Sequence, residues 1–471
     1  MPLEEIRPWL DEEDIPDRLP CLIAPDGTFD LELNRYFLQV HLMAASENTQ
    51  AAVAYDLANF FTFLWRNRQP LGCRSWRDAT SEDRAAYKRW RRTDVNGPGV
   101  KGSTFAREVA TVNQFYRWAV KRGLIAQNPI EQRQARHRAG RRPTAELTPA
   151  EVPRDAHRDD LEWLPPHSYR RWRDVGVRGY LGTGLRDRSF RGRNASRNAT
   201  FCDVMVRTGL RLAEQASLTL FDVPDVQPHM AYRRTRLPSA IAKGGSGRKI
   251  YVPTSVLRDV WDYIQFDRTD VVERARARGT YERIEDALII EDPQGALLPP
   301  DQLDGRPIPV GALRPSDRRR LLIRTEQGLE PAALWLTESG LPMTTSGWQT
   351  IFDEANDRCK RRGEALRCHP HLLRHTYAVV TLEQLQREHI RELAGMSAAQ
   401  RTTYEMVFGD PLDWVRRRLG HQSIESTLIY LHTLNELAME TRLALVPTDW
   451  EKADYSLAES GADDAAVELV R

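Results

Sequence analysis

Apolar residues recur at helical spacing in the N-terminal third of the chain, and this periodicity restricts the fold more than any other feature. Residues 46–68 predict one helix with a single apolar stripe, and Thr80 to Asp83 predict a capping box that opens a second. A third helix is predicted from Ser103 to Gly123, since glycine commonly ends helices. Each stripe must pack against another element, so we expect residues 31–130 to form a compact all-helical domain.

The remainder of the chain predicts a linker and a second domain. Residues 131–165 are rich in Arg, Pro, Asp and Glu without periodicity, which predicts a basic interdomain linker. Residues 166–448 combine helical patterns with a glycine-rich hairpin. Residues 1–30 are left as an N-terminal extension and residues 449–471 as an acidic C-terminal tail. The predicted fold class is mainly α with a small antiparallel β-sheet.

The composition excludes membrane and disordered classes. Apolar residues make up 41% of the chain and charged residues 28%, which is typical of globular proteins. No apolar run approaches the ~18 residues that a membrane span needs, and the first residues show no signal-peptide pattern. We therefore expect a cytoplasmic protein with no membrane partner.

Arginine dominates the basic residues: 61 of the 68 are arginine and seven are lysine. Five arginines lie within residues 131–142 and five more within 186–197, whereas the tail from Asp449 carries seven acidic residues. Because arginine binds phosphate in a bidentate manner, this distribution indicates a polyanion as partner. Solvated surface loops are the competing explanation.

Two segments after residue 200 carry residues suited to phosphate chemistry. In RTGLRLAE (207–214), Arg211 and Glu214 lie three residues apart, so a carboxylate can hold the guanidinium in place; an ordinary surface pair is the alternative. The segment AIAKGGSGRKIYVP (240–253) predicts a β-hairpin with Lys243 near its tip. Lysine, unlike arginine, can give up a proton near neutral pH.

Two further segments concentrate histidines. In HPHLLRHTY (369–377), His371 and Arg374 share one helical face. Cys368, His369 and His375 lie close by, so a zinc site is a competing hypothesis, although the spacing matches no standard zinc motif. The five cysteines contain no C-x-x-C pair, which favours free thiols.

The last segment, RLGHQSIESTLIYLH (418–432), places His421 at a helix boundary and Tyr430 within the following helix. Asp410 and Pro411 predict the start of the preceding helix, and Gly420 its end. As an isolated residue, Tyr430 would more often be a core residue than a catalytic one.

In their order along the chain, these segments resemble the tyrosine recombinase (phage integrase) family. RTGLR at 207–211, HLLRHT at 371–376 and LGHQSI at 419–424 are similar to the family's sequence boxes, and Tyr430 follows His421 by nine residues. WAVKRGLIAQNP at 118–129 resembles the end of the family's core-binding domain. The resemblance covers residues 30–440 approximately.

The resemblance implies a fold and a reaction. Residues 31–130 would be the helical core-binding (SAM-like) DNA-binding domain, and residues 166–448 the mixed α+β tyrosine-recombinase catalytic domain. Tyr430 would attack the scissile phosphate and form a 3′-phosphotyrosyl link, while Arg211 and Arg374 hold the non-bridging oxygens. Lys243 would protonate the leaving 5′-oxygen, with Lys249 as the alternative acid.

The remaining roles are supporting ones. The resemblance implies that His371 assists proton transfer at the tyrosine and that His421 donates a hydrogen bond to a phosphate oxygen. Glu214 would orient Arg211 or His371. Such chemistry needs no cofactor, neither ATP nor a divalent metal, because the phosphotyrosyl link conserves the bond energy.

Duplex DNA is the implied substrate, held between the two domains. The basic residues expected to contact it are Arg107, Lys121, Arg133, Arg136, Arg138, Arg141 and Arg142. The implied assembly is a homotetramer on DNA, with accessory DNA-bending proteins or partner recombinases as further candidates. Residues 256–333 and 386–411 exceed the family pattern and are expected to be insertions.

We therefore expect a site-specific recombinase, the integrase or transposase of a bacterial mobile element. A chromosome- or plasmid-resolving recombinase of the same chemistry is the first alternative. A DNA-binding relative that has lost its activity and a zinc enzyme built on the histidines near residue 370 are alternatives from other classes.

Overall fold

The computed structural model describes residues 12, 15, 19–45, 47–67, 75–134, 147–153, 155, 161–284, 286–291, 297–298, 307–397, 400 and 409–445. The chain divides into two compact units, Met1–Asp159 and Asp160–Arg471. Among the described helices, none has the length and apolar character required to cross a membrane.

The first unit is helical, as its periodicity predicts. Its helices are α1 (Leu31–Asn34), α2 (Val40–Met43), α3 (Glu47–Asn67), α4 (Ser81–Arg92) and α5 (Gly102–Lys121). The predicted capping box is confirmed, because Thr80 Oγ1 accepts a hydrogen bond from the Asp83 amide and the Asp83 carboxylate accepts one from the Thr80 amide. The predicted stop is also confirmed, since Gly123 adopts a φ of 71° just after α5.

Aromatic side chains fill the core of this unit. Phe60, Tyr87 and Phe115 are buried where α3, α4 and α5 meet, with ring contacts at edge-to-face angles. One carboxylate enters this core: Glu108 accepts hydrogen bonds from the Tyr87 hydroxyl and the Arg91 guanidinium, both at 3.0 Å. The unit is therefore a closed domain with its own core.

The segment predicted as a linker contains an antiparallel strand pair. Strand β1 (Gln132–Gln134) pairs with β2 (Leu147–Pro149). Ion pairs then join the following residues to α4, from Glu151 to Arg84 and from Asp155 to Arg92. Most of the segment thus falls within the first unit, which extends to residue 159.

The second unit contains the remaining elements. Its helices are α6 (Pro166–Trp172), α7 (Ala195–Thr208), α8 (Leu212–Ala216), α9 (Thr254–Tyr263), α10 (Thr269–Arg276), α11 (Pro315–Arg319), α12 (Thr345–Arg361), α13 (Pro370–Ala394), α14 (Pro411–Leu419) and α15 (Glu425–Leu445). Its strands are β3 (Tyr232–Leu237), β4 (Arg248–Pro253), β5 (Leu288–Ile290), β6 (Leu297–Leu298), β7 (Ile308–Pro309), β8 (Leu321–Thr325) and β9 (Gly328–Pro331). The fold class, mainly helical with small sheets, is confirmed.

Helix α7 lies at the centre of this unit. It packs against α9 and α13, and the Phe201 ring stacks on Trp348 of α12 at 3.5 Å between centroids. The helix ends at Gly209, whose φ of 67° turns the chain towards α8. A Cβ at Gly209 would overlap the Tyr377 ring of α13, so glycine is required there both for conformation and for space. Arg211 follows this turn and lies immediately before the first residue of α8.

The predicted hairpin forms, but its first arm lies elsewhere. Strand β3 pairs antiparallel with β4, from Tyr232 opposite Pro253 to Leu237 opposite Arg248. The prediction that the first arm lies at 240–242 is wrong, because Pro238 ends β3 and residues 243–245 form a short 3₁₀ turn instead. Lys243 therefore lies in the connection between β3 and β4, which spans residues 238–247.

Within the predicted insertion at 256–333, α9 packs on α7 as part of the main core, and the described residues from Thr269 onward form a lobe around a small mixed sheet. Strand β5 runs parallel to β8, which pairs antiparallel with β9. Buried arginine stabilises the lobe: Arg318 donates hydrogen bonds to Asp222 at 2.7 Å and to the carbonyl of Ser217. Arg318 therefore serves the structure of the lobe.

The chain from residue 386 to 411 begins as the last turns of α13, which ends at Ala394. Residues 398–399 and 401–408 lie outside the described part. Helix α14 then begins as predicted, with the Asp410 side chain accepting from the Leu412 amide, and ends at Gly420 with a φ of 65°. Helix α15 carries Tyr430.

Candidate active site

Glu214 forms the centre of a buried ion-pair network at the start of α8. Its carboxylate accepts hydrogen bonds from the Arg211 guanidinium at 3.0 Å and the Arg211 amide at 2.9 Å, and two from the Arg248 guanidinium at 3.0 and 2.6 Å. Burial alone would raise the pKa of Glu214, but the hydrogen bonds and charges of Arg248 and Arg211 lower it to about 2. The carboxylate is therefore ionised and fixes both guanidinium groups.

Arg374 of α13 also lies in this corner, and among the described residues it has no carboxylate partner. Its side chain is 1% exposed; Nη1 donates to the Gly209 carbonyl at 2.6 Å and Nη2 donates to the Leu419 carbonyl. Burial and the charges of Arg211 and Arg248 lower the pKa of Arg374 to about 9. Three guanidinium groups around Glu214 make this corner net positive, which suits an anion.

Four of the predicted residues line one cleft of about 590 Å³: Arg211, Lys243, His371 and Arg374. Lys243 belongs to the connection between β3 and β4, and its backbone amide lies 3.4 Å from Glu214 Oε1. The ion-pair network thus orients the lysine-bearing segment as well as Arg211. The cleft is open to solvent and large enough for a phosphodiester group.

Tyr430 is 2% exposed, packed between α13 and the end of α14. Its hydroxyl forms a 3.0 Å hydrogen bond with Nδ1 of His375. The His421 ring stacks near the Tyr430 ring at 6.2 Å between centroids, and its Nδ1 is 3.0 Å from the Thr427 hydroxyl. Burial raises the pKa of Tyr430, whereas the charges of Arg374 and Arg211 oppose that shift.

Three histidines form a layer between the positive corner and the tyrosine. The His371 ring lies edge-on to His375 at 4.2 Å between centroids. Desolvation and the charge of Arg374 lower the pKa of His371 and of His421 to about 4 each, and desolvation and the proximity of His371 lower that of His375 to about 3. All three rings are therefore neutral at neutral pH, and each is able to accept a proton.

Two residues of the candidate site are not predicted by the sequence pattern. Arg248 belongs to no predicted site, although alternation along β4 puts it on the buried face with Ile250 and Val252. The sequence predicts a possible metal-ligand role for His375, yet its ring, rather than that of His371, contacts the Tyr430 hydroxyl. The helical spacing of 371 and 375 indicates a shared face but not which ring meets the tyrosine.

The alternative acid, Lys249, has a different environment. It lies exposed on the opposite face of β4 from Arg248, and its carbonyl accepts a hydrogen bond from Arg418. The residues that line the cleft beside Glu214 include Lys243 but not Lys249.

The residues expected to bind DNA fall into three groups. Arg107 is half exposed and pairs with Asp56 at 2.6 Å, whereas Lys121 and Arg133 are exposed in the first unit. Arg136, Arg138, Arg141 and Arg142 lie outside the described residues. Contact between any of these side chains and DNA remains a prediction.

The described part of the chain contains no group of three or more His, Cys, Asp or Glu side chains arranged to hold a metal ion. Cys368 is buried with its thiol facing the backbone of His369, and His375 is engaged with Tyr430. The residues of the competing zinc hypothesis are thus directed to different partners.

Comparison with known proteins finds similarity to recombinases. Residues 33–123 match the family model described as phage integrase, N-terminal SAM-like domain. Over 393 residues, the chain is 22% identical to tyrosine recombinase XerC of Listeria monocytogenes, covering 83% of this chain and 89% of that protein. It is 24% identical over 391 residues to tyrosine recombinase XerC of Roseiflexus castenholzii, with coverages of 83% and 85%.

Solved structures with a similar chain include the Tn1549 transposon integrase in complex with a circular intermediate DNA, at a TM-score of 0.48 and 14% identity, covering 84% of this chain and 93% of that chain. The XerH site-specific recombinase bound to its difH substrate is similar at a TM-score of 0.45 and 12% identity, covering 91% and 92%.

Proposed function

We propose that this chain, which belongs to the tyrosine recombinase family, is a site-specific recombinase that cleaves and rejoins duplex DNA through Tyr430. The observation that supports this most is the convergence of Arg211, Lys243, His371 and Arg374 on one cleft, with the tyrosine within reach of its charge.

The reaction follows from these groups. Arg211 and Arg374 bind the non-bridging oxygens of the scissile phosphate and offset the charge that grows in the transition state. The Tyr430 oxygen attacks phosphorus, and a phosphotyrosyl bond forms as the bond to the 5′-oxygen breaks. Lys243 gives its proton to that leaving oxygen. One phosphodiester replaces another, so the step reverses with a new 5′-hydroxyl and needs no external energy source.

We assign the proton of the attacking hydroxyl to His375. A neutral imidazole 3.0 Å from the hydroxyl is positioned to accept it, and burial keeps that ring neutral in the free protein. An anionic phosphate in the adjoining cleft raises the pKa of nearby histidines, since it counteracts the positive charges that depress them. His375 thus becomes a stronger base when substrate is bound.

In the proposal, His371 and His421 act on the phosphate rather than on the tyrosine's proton. His371 lines the cleft, where a ring N–H can donate to a phosphate oxygen. His421 stacks near the nucleophile, and its contact with Thr427 fixes the ring orientation. Glu214 does not react; it holds Arg211 and Arg248 in place.

The biological role we propose is integration or excision of a bacterial mobile element, by a homotetramer assembled on DNA. Support comes from the kinship with recombinases and from the lobe at 269–333, which gives this chain additional surface beyond its catalytic centre. A chromosome- or plasmid-resolving role uses the same chemistry and differs in the DNA sites joined.

The reaction is tested with DNA from both ends of the element that encodes the chain. Wild-type protein, Tyr430→Phe and Tyr377→Phe are incubated with it without added metal and quenched in detergent. We expect a protease-sensitive adduct at a 3′ end for wild type and Tyr377→Phe, and none for Tyr430→Phe. An adduct with Tyr430→Phe would assign the nucleophile elsewhere, and tight binding without any adduct would contradict turnover.

The acid is tested separately with a substrate whose leaving 5′-oxygen is replaced by sulfur. A thiolate leaves without protonation, so this substrate should restore cleavage to Lys243→Ala but not to Arg374→Gln. Lys249→Ala serves as the matched control and should cleave the ordinary substrate. The reverse result for the two lysines would move the acid to Lys249.

A further inference from the structure

Residues 178–194 connect the π-helical extension of α6 to the start of α7, and we call them the arginine loop. The loop carries Arg186, Arg188, Arg191 and Arg193 at exposed positions. None of these residues lines the catalytic cleft. Helix α7, with 14 residues, separates the loop from Gly209 by on the order of 20 Å.

The loop is anchored to the body of the unit at its middle. The Asp187 carboxylate accepts from Arg362, and the same guanidinium donates to the Ser189 hydroxyl at 2.8 Å. The Phe190 ring packs under the guanidinium of Arg358, 4.5 Å from its centroid. These contacts fix an exposed segment that has few apolar residues of its own.

Local backbone contacts shape both halves of the loop. Tyr180 and Arg186 form an antiparallel bridge, and the Leu181 amide donates to the Leu185 carbonyl at 2.7 Å, which makes a small hairpin. In the second half, Arg191 Nη1 donates to the Arg188 carbonyl at 2.7 Å. The backbone of the loop and the direction of the Arg191 side chain are thus set before any partner binds.

The loop presents uncompensated positive charge. Within the described part of the chain, Arg186, Arg188 and Arg191 have no carboxylate partner, and the one acid of the loop, Asp187, is already paired with Arg362. Arg193 lies 3.3 Å from Glu338, and Arg178, at the start of the loop, pairs with Asp174 at 3.6 Å. A cleft of about 480 Å³ beside the loop is bordered by Arg191, Arg193, Arg197 and Arg358 and also by the acids Glu338 and Glu354. Arginines outnumber carboxylates in this lining, which favours an anionic group.

We propose that the arginine loop is a second DNA-binding site, which grips the phosphate backbone of duplex DNA away from the scissile phosphate. Guanidinium groups held in a fixed arrangement bind phosphate with less loss of side-chain freedom than flexible ones. The contact reads no bases, so it strengthens binding to every sequence alike. The inference rests on the proposed function only in taking DNA as the polyanion.

The test uses the full chain and a random-sequence duplex, with Kd measured across a range of salt concentrations. The variant with Arg186, Arg188 and Arg191 changed to Gln should bind at least about tenfold more weakly at low salt, and its salt slope should fall by about 2 to 3. The matched control changes Arg274, Arg278 and Arg319 to Gln; these are exposed arginines of the lobe at 269–333. Equal weakening by both triple variants would show a net-charge effect and overturn the proposal, as would no weakening by the first.

The anchoring is tested by Phe190→Ala, which keeps every guanidinium but frees the loop. We expect a smaller loss of affinity than in the triple variant with an unchanged salt slope, because the phosphate contacts remain while the preorganisation is lost. Affinity equal to wild type would contradict a preorganised site. Thermal unfolding of each variant confirms that the fold is retained.

This experiment separates the loop from the catalytic proposal. The triple variant retains Tyr430 and the cleft, so at saturating protein it should still form the covalent adduct. If wild type and variant both lack the adduct while the variant still loses affinity, the catalytic proposal fails and the loop inference stands. If the adduct forms in both and their affinities are equal, the loop inference fails alone.

Discussion

The two halves of the candidate active site are held in place by different forces. The positive corner rests on charge: Glu214 binds Arg211 and Arg248, and Arg374 donates to two backbone carbonyls. The nucleophile half rests on neutral contacts, with one hydrogen bond from Tyr430 to His375 and ring packing against His421. The positive corner is fixed by ion pairs and hydrogen bonds between several elements. The position of Tyr430 depends on how one helix, α15, packs against α13.

This difference separates binding from reaction. Guanidinium groups fixed by a buried carboxylate are ready for phosphate before DNA arrives, because their orientation requires no further change. The tyrosine hydroxyl is covered, so its exposure to phosphorus requires a movement of α15 or of the histidine layer. Variants of the first half should therefore alter stability and activity together, and variants of the second half activity alone.

The largest effect is expected for Arg374→Gln. It removes a transition-state contact and both bonds to the carbonyls of Gly209 and Leu419, so covalent-adduct formation should fall by more than about a thousandfold. Unfolding in urea should show a loss of about 1–3 kcal/mol, because two buried carbonyls lose their donor. Arg417→Gln, an exposed arginine paired with Asp413, is the control and should be near neutral. An inactive but fully stable Arg374 variant would contradict the expectation that stability and activity change together in the positive corner.

Glu214→Gln should lower stability by about 3 kcal/mol, because it leaves the buried Arg248 without its anion. Activity should fall with it, since Arg211 loses its orienting partner. Urea unfolding and adduct assays on the same preparations measure both quantities. Glu383→Gln, at an exposed pair with Arg387, is the matched control; equal losses in the two variants would contradict a special role for Glu214.

Variants of His375 test the half of the site that contains the nucleophile. His375→Ala should slow adduct formation by about a hundredfold, with a stability change of only about 1 kcal/mol. In His375→Asn the amide oxygen can replace Nδ1 as hydrogen-bond acceptor but cannot take a proton. If His375 acts as a base, the Asn variant should be as slow as the Ala variant and lose the acidic limb of the pH–rate profile. Full activity of the Asn variant would reduce the role to positioning.

The smallest effect is a dependence of stability on pH. The folded-state pKa values of His371, His375 and His421 lie at about 4, 3 and 4, below the ordinary 6.5 of the unfolded chain. Below pH 6.5 the unfolded chain takes up protons that the folded protein does not, so stability should fall as the pH falls towards 4. Allowing for solvent screening, each ring contributes roughly 1 kcal/mol. Urea midpoints at several pH values measure this, and His371→Asn should flatten the curve.

The sequence predicted those features that depend on local pattern. The helices of the first unit, the capping box at Thr80, and the helices around Gly420 follow from periodicity and caps, and the structure has them. The segments that carry Arg211, Lys243, His371 and Arg374 were recognised by their order, and these four side chains line one cleft.

The remaining features depend on tertiary contacts. Arg248 and Glu214 are 34 residues apart, and only the fold brings them together. The choice of His375 over His371 beside Tyr430 is decided by how α15 packs on α13. The first arm of the hairpin is predicted wrongly because the apolar residues at 240–242 resemble a strand. The actual strand, β3, ends at Leu237, just before Pro238.

The position of Arg374 has a consequence for how this protein can be inactivated in a cell. Its guanidinium ties together chain segments that lie 165 and 45 residues away. A mutation there would release those segments, and the product would be removed by quality-control proteases before it accumulated. Loss of Tyr430's hydroxyl leaves the same segments joined, so under the proposed function that lesion would produce a stable protein that occupies its DNA sites without cleaving them. Mutations at the two positions are therefore expected to behave as recessive and dominant alleles, respectively.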